Sequence, residues 1–309
     1  MLQKNKQKSI EYWNNSASSW KYKAYSPDKN YTSFPSSLVR NEIVINELLK
    51  IKNKNIRILD VGCADGGLIS EMVKNGFTNV VGIDNSPEMI KQAKIDFKEN
   101  FPDIDCEKMF LLKDADDDFF NETFDVITAI GLIEYVKDLD LFFYKLRKIM
   151  NENSIALIES RNKLFNLFSA NQYTINDSQN IKNLVDELDS IKHLSPNQNQ
   201  AEAVLSSIHI LSQKLKDFDV SREIKEKQFQ EYPFELAQYS PKELMEIVGK
   251  ENFNLNEIFY YHTHLFPPRF GKDFSQLYNL IGVLLQPLGN TPLGALICSA
   301  YVAKIKLIN

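Results

Sequence analysis

Two hydrophobic periods alternate along the first half of the chain. Short apolar runs at 58–61, 80–83, 109–112, 124–129 and 155–159 have the length of buried strands. Between them, apolar residues recur three and four positions apart. Leu68, Ile69, Met72 and Val73 form one such stripe, Met89, Ile90, Ala93 and Phe97 a second, and Leu139, Phe142, Phe143, Leu146 and Ile149 a third. A helix led in by Pro35 precedes the first strand, with Leu38, Val39, Ile43, Leu48 and Leu49 as its apolar face. Strand and helix in strict turn predict an α/β fold with a mostly parallel sheet.

The alternation breaks after residue 161. Ile181, Leu184, Val185, Leu188 and Ile191 mark one amphipathic helix, and Val204, Ile208, Leu211, Leu215 and Phe218 a second. This pair reads as a helical cap over the carboxyl edge of the sheet. Regular α/β pattern resumes at Ser240-Pro241-Lys242-Glu243, which has the spacing of a capping box. A sixth strand at 255–261, a helix around Phe274–Leu284 and a last strand at 295–302 complete a seven-stranded sheet whose final strand enters antiparallel. Four regions follow: an N-terminal segment 1–34, a core 35–161, the insertion 162–230, and the remaining core 231–309. The first is polar yet carries Tyr12, Trp13, Trp20, Tyr22, Tyr25 and Tyr31, so it reads as a surface segment pinned by rings or as a flap over a ligand.

Composition narrows the classes. A net charge of −5 with no basic stripe argues against nucleic acid. No apolar run reaches a membrane span and the first ten residues contain no signal-like core, which predicts a cytoplasmic protein. The three cysteines, Cys63, Cys106 and Cys298, are scattered and suggest neither a metal centre nor a disulfide framework.

The chemistry centres on Asp60-Val61-Gly62-Cys63-Ala64-Asp65-Gly66-Gly67, a strand end running into a glycine-rich turn and a helix. A dinucleotide site needs a glycine where Ala64 stands, so that a pyrophosphate can touch the backbone. A phosphate-binding P-loop needs Lys-Ser/Thr where the chain has Leu68-Ile69. A phosphate-free nucleoside cofactor suits the turn better. Asp84, ending the second strand, is placed to accept two ribose hydroxyls.

The run 59–66 resembles the first motif of class I S-adenosylmethionine-dependent methyltransferases. Three further stretches resemble that family's later motifs in order: Gly82-Ile83-Asp84-Asn85-Ser86-Pro87-Glu88-Met89, Lys113-Asp114-Ala115, and Phe124-Asp125-Val126-Ile127 with Leu132-Ile133-Glu134-Tyr135. Tyr135 stands where many members have histidine. The resemblance implies a Rossmann-like fold with S-adenosyl-L-methionine as cofactor. It implies cofactor contacts from Asp60, Gly62, Ala64, Gly66, Asp84, Asn85, Asp114, Ala115 and Ile130, with Trp20 from the N-terminal segment.

The acceptor side is written less clearly. Four histidines are present; His193 and His209 lie in the insertion and read as surface residues. His262 and His264 sit at the end of the sixth strand, where alternate residues share a face. They read as structural residues, as a catalytic base or substrate contact, or as a metal pair lacking a third ligand. A base favours a hydroxyl acceptor, whose proton must leave. Residues 159–169, with Asn171, Tyr173 and Thr174, and residues 261–268 resemble segments of methyltransferases from bacterial capsule and lipopolysaccharide gene clusters. That resemblance implies O-methylation of a small polar, sugar-linked acceptor, with Tyr135, Arg161 and Tyr173 as substrate contacts. N-methylation of an amino sugar or small amine, and a nicotinamide-dependent reductase, are the competing readings. Monomer and homodimer are both open.

Overall fold

The computed structural model describes residues 2–25, 33–117, 120–169, 190, 236–268, 271, 275–291 and 293–308. Most of the expected helical insertion, with Tyr173, His193 and His209, lies outside the described residues.

Seven strands form one sheet: β1 (Ile58–Val61), β2 (Val80–Asp84), β3 (Phe110–Leu112), β4 (Phe124–Ala129), β5 (Met150–Arg161), β6 (Phe253–Thr263) and β7 (Cys298–Leu307). Their spatial order is β3-β2-β1-β4-β5-β7-β6. β1 to β5 pair in parallel, and β7 runs antiparallel between β5 and β6. The order reverses at β1, so the carboxyl ends of β1 and β4 flank a crevice where an open sheet takes its ligand.

Helices cover both faces. On one, α2 (Ser36–Leu49), α3 (Gly67–Lys74) and α4 (Pro87–Asn100) bury Val44, Leu48, Ile69, Met72, Ala93 and Phe97 against Ile58, Val80 and Val126. On the other, α5 (Leu139–Lys148) and the later helix Pro241–Lys250 bury Phe142, Phe143, Leu146, Leu244 and Val248 against Leu59, Ile127 and Ile158. Residues 2–25 form one helix, α1, lying across the carboxyl edge beside α2 and α4.

Three expectations shift. α2 does not turn Leu38 and Leu49 inward; both are exposed, and its buried side carries Ser37, Asn41, Val44, Glu47 and Leu48. Glu47 is satisfied there by Lys304 of β7 at 2.9 Å. The last strand begins at Cys298, because Gly294–Ile297 takes one helical turn. A short apolar run does not distinguish the two. β5 reaches back to Met150, with a register irregularity opposite Phe124 and Val126.

The capping box at Ser240 is formed in full. Ser240 Oγ accepts from Glu243 N–H at 3.1 Å, and Glu243 Oε2 accepts from Ser240 N–H at 2.8 Å. Ser240→Ala is expected to lower unfolding free energy by about 1 kcal/mol in urea titration, the usual cost of a lost N-cap.

Candidate active site

The ends of β1, β2 and β4 form one wall of a cavity of about 380 Å3. Asp60, almost fully buried, ends β1 beside Thr128 of β4, whose Oγ1 donates to its Oδ1 at 2.6 Å. At the end of β2, Asp84 accepts from Ala64 N–H through Oδ2 at 3.0 Å and from Ser86 N–H through Oδ1 at 2.8 Å. The turn between them carries positive φ at Gly62 (78°), Ala64 (46°) and Gly66 (72°). A non-glycine residue in that region is strained, and the bond to Asp84 is what holds Ala64 there.

The two glycines have different reasons. Gly62 lines the cavity, and a Cβ there would come within 3.0 Å of Leu132. Gly66 does not line it; a Cβ at Gly66 would lie 2.6 Å from the Phe110 ring. Gly66 serves as a packing and N-cap residue of α3. Asp114 likewise does not line the cavity. Its Oδ2 binds Lys6 of α1 at 2.8 Å and accepts from Asn85 Nδ2 at 3.2 Å, while Oδ1 accepts from Asp116 N–H at 2.9 Å. Its neighbours Lys113 and Ala115 line the cavity, as do Asn85 and Ile130.

α1 contributes Ser9, Trp13 and Trp20 to the wall. The two indoles meet edge to face at 4.9 Å, and Trp13 meets Tyr135 at 6.0 Å. Asn14 of the same helix accepts from Ser86 Oγ at 2.7 Å, tying α1 to the start of α4.

Burial drives the acids on this wall toward protonation. Asp60 is pushed up to about 6, first by desolvation and then by the charge of Asp84, with the Thr128 bond and Arg40 opposing. Asp84 also rises, mainly by desolvation. Two buried carboxyls beside an apolar floor of Leu68, Ile83, Met89 and Leu132 fit a cationic nucleoside better than a pyrophosphate.

The opposite end of the cavity is built by β5, β6, α2 and the loop after β4. Glu159 of β5 is paired: Oε2 accepts from Arg40 Nη1 at 3.0 Å, and Oε1 accepts from the Tyr261 hydroxyl. Glu134 is 7% exposed, and among the described residues no donor reaches its Oε2. Burial, then the charge of Glu159, pushes Glu134 up to about 7 against the opposing pull of Arg161 and Arg40. Tyr135 and Arg161 also line this end.

The two late histidines separate here. Their rings adjoin, 4.2 Å between centroids, as strand alternation predicts. Only His262 lines the cavity. Its φ is +62°, and its ring stacks on Phe34 at 4.2 Å. Nδ1 lies 3.2 Å from Ser36 Oγ, and Nε2 has no hydrogen-bond partner among the described residues. His264 sits behind it with both nitrogens engaged: the Tyr278 hydroxyl is 2.5 Å from Nδ1 and Ser299 Oγ is 3.2 Å from Nε2. Burial lowers both histidines; His262 falls well below the usual imidazole range, with His264 and Arg161 adding, and His264 falls to about 4. Both rings are neutral at physiological pH. Among the described residues no third ligand completes a metal site around them.

The cavity also holds residues that carried no assigned role in the sequence. Glu134 and Glu159 lie inside the motif segments, so their positions were visible although their pairing was not. Arg40 and Asn41 gave no signal, being polar residues of an apparently amphipathic helix.

A family model described as a methyltransferase domain matches residues 40–255. The chain belongs to that family. The methyltransferase is 32% identical over 166 residues to a ubiquinone biosynthesis O-methyltransferase of Pelagibacter ubique (strain HTCC1062), covering 50% of this chain and 65% of that one. It is 34% identical over 119 residues to a probable (S)-tetrahydroprotoberberine N-methyltransferase 2 of Papaver bracteatum, covering 36% and 31%. The chain thus spans less than two thirds of these relatives' own lengths. Magnesium protoporphyrin IX methyltransferase from Synechocystis PCC 6803, solved with bound S-adenosylhomocysteine, superposes with a TM-score of 0.55 at 11% identity, covering 98% of this chain and 100% of that one. That likeness supports the Rossmann-like methyltransferase fold. The cofactor that goes with this family is S-adenosylmethionine, which supplies an electrophilic methyl group on a sulfonium.

Asp84, Asn85, Asp60 and Ala115 line the cavity together and would be the residues to hold such a cofactor. An ammonium bound beside Asp60 would favour its ionised form, so that binding below about pH 6 would release a proton. Affinity is therefore lost as pH falls below about 6 and level above it. Calorimetry with S-adenosylhomocysteine is expected to show Kd rising about tenfold per pH unit at most below that point, and Asp60→Asn is expected to flatten the dependence.

Proposed function

We propose that the protein transfers the methyl group of S-adenosylmethionine to a hydroxyl oxygen of a small polar acceptor. The observation that supports it is His262: a neutral imidazole on the cavity wall, oriented by Phe34 and Ser36, with no hydrogen-bond partner at Nε2 among the described residues. A hydroxyl acceptor must lose its proton as the new C–O bond forms, and a neutral imidazole can accept that hydrogen bond. His264 then acts as a positioning residue, keeping its neighbour in place through Ser299 and Tyr278.

Transfer needs nucleophile, methyl carbon and sulfur in line and free of water, and positioning alone supplies on the order of 7–11 kcal/mol in well-oriented reactions. Trp13 and Trp20 of α1 and the apolar floor serve that exclusion. The narrower reading of the acceptor is a sugar-linked intermediate of bacterial surface-polysaccharide assembly, from the resemblance at 159–174 and 261–268. The relatives named above have other acceptors in their names, so the narrower reading rests on those segments alone.

Mass spectrometry with isotopically labelled S-adenosylmethionine and a panel of hydroxyl acceptors tests the reaction. Label on oxygen is the expected outcome; label confined to amines overturns it. With an active acceptor, His262→Gln is expected to lower kcat about 100-fold while cofactor affinity stays unchanged. His264→Gln is expected to have a smaller effect.

A further inference from the structure

Among the buried polar atoms of cavity-lining residues that lack a partner among the described residues are Glu134 Oε2 and Asn41 Nδ2. Both side chains line the cavity and are more than nine-tenths buried, 7% and 4% exposed. One is a hydrogen-bond acceptor and the other a donor. Leaving either unmade costs about 1–3 kcal/mol, so the pair calls for a ligand that supplies both a donor and an acceptor. A polyhydroxylated ligand supplies both, from one hydroxyl or from two.

The charge balance selects among such ligands. Arg40, Lys113 and Arg161 line the cavity against Asp60 and Asp84 at the cofactor end and Glu134 and Glu159 at the acceptor end. With every group ionised, the wall carries one net negative charge. S-adenosylmethionine, with a carboxylate, an ammonium and a sulfonium, brings one net positive charge. The loaded cavity is then neutral. A charged acceptor would enter a buried space with no counter-charge left over, at a cost of several kcal/mol.

From this the geometry points to Glu134 and Asn41 as the acceptor-anchoring pair, and to a neutral, polyhydroxylated acceptor as the class they select. The inference rests on reading the same cavity as a methyl-acceptor site. Glu134 accepts from an acceptor hydroxyl, Asn41 donates to one, and Arg161 offsets the Glu134–Glu159 pair instead of waiting for an acceptor phosphate.

The test is binding, not turnover. Protein saturated with sinefungin, an analogue whose side-chain ammonium keeps the positive charge of the sulfonium, is titrated by calorimetry and saturation-transfer NMR with the methyl α-glycosides of glucose, galactose and mannose, and with glucosamine and glucose 6-phosphate as cationic and anionic counterparts. At least one neutral glycoside is expected to bind about fivefold more tightly than either charged sugar. Glu134→Gln and Asn41→Leu are each expected to weaken it about fivefold, the scale of one hydrogen bond, while S-adenosylhomocysteine affinity, which also reports folding, stays within about twofold. The proposal is overturned if no glycoside binds to loaded protein, if a charged sugar binds best, or if both variants keep wild-type affinity. Glycoside binding without label on any hydroxyl would overturn O-methylation and leave the subsite standing. Label on oxygen that is indifferent to both substitutions would do the reverse.

Discussion

A single hydrogen bond sets the geometry of the cofactor end. Asp84 Oδ2 accepts from the Ala64 N–H, joining the end of β2 to the turn after β1. The bond fixes Ala64 at positive φ, where an alanine is otherwise disfavoured. With Ala64 held, Gly62, Cys63 and Ala64 line the cavity and α3 starts at Gly67. Asp84 takes backbone donors from Ala64, Ser86 and Asn85, and a carboxylate has about four lone-pair sites, so it has capacity to spare. The same side chain can therefore shape the turn and still receive a ribose. On the neighbouring strand Asp60 has the corresponding role, and the Thr128 hydroxyl fixes its orientation.

The acceptor end depends on β7. An antiparallel strand between β5 and β6 aligns Arg161 with Ala300 and Tyr261 with the same Ala300 from the other side. That register brings Glu159 and Tyr261 within bonding reach across β7 and leaves Arg40 of α2 to close the third side. The small side chain of Ala300 gives them the room. His262 follows Tyr261 directly, and its positive φ turns the chain as it leaves the strand. Gln286 satisfies the His262 N–H at 3.0 Å.

How legible the molecule was depends on whether a role is local. Asp60, Asp84 and Ser240 act on backbone a few residues away or at a strand end, and pattern alone located them. Ala64 was read correctly as a departure from a phosphate-binding turn, although its backbone strain was not foreseeable. Asp114 and Gly66 are expected on the ligand from their motifs; neither lines the cavity, and no sequence signal hints at the contacts with Lys6, far away along the chain, and with Phe110 of β3. Asn41 was hidden by a plausible apolar stripe on α2. The helix is rotated so that Ser37, Asn41, Val44 and Leu48 face inward, a choice made by the cavity and by Lys304, not by α2 itself. Strand parity correctly made His262 and His264 neighbours. Only Tyr278 and Ser299, from later elements, show which of them the cavity sees.

Charge conservation links the two ends of the cavity. Under the proposed reaction, methyl transfer removes the sulfonium's positive charge and frees one proton from the acceptor hydroxyl. A buried site that keeps the proton until the products leave preserves its neutrality, and one that loses it at once does not. His262 is the group best placed to meet the proton first, but His264 and Arg161 both disfavour a charge on its ring. Glu134, in contrast, lies beside Glu159, whose negative charge favours a protonated neighbour, and is already drawn up to about 7. The two groups thus have opposite preferences at one cavity: the surroundings of His262 hold its ring neutral, and those of Glu134 draw its carboxyl toward the protonated form.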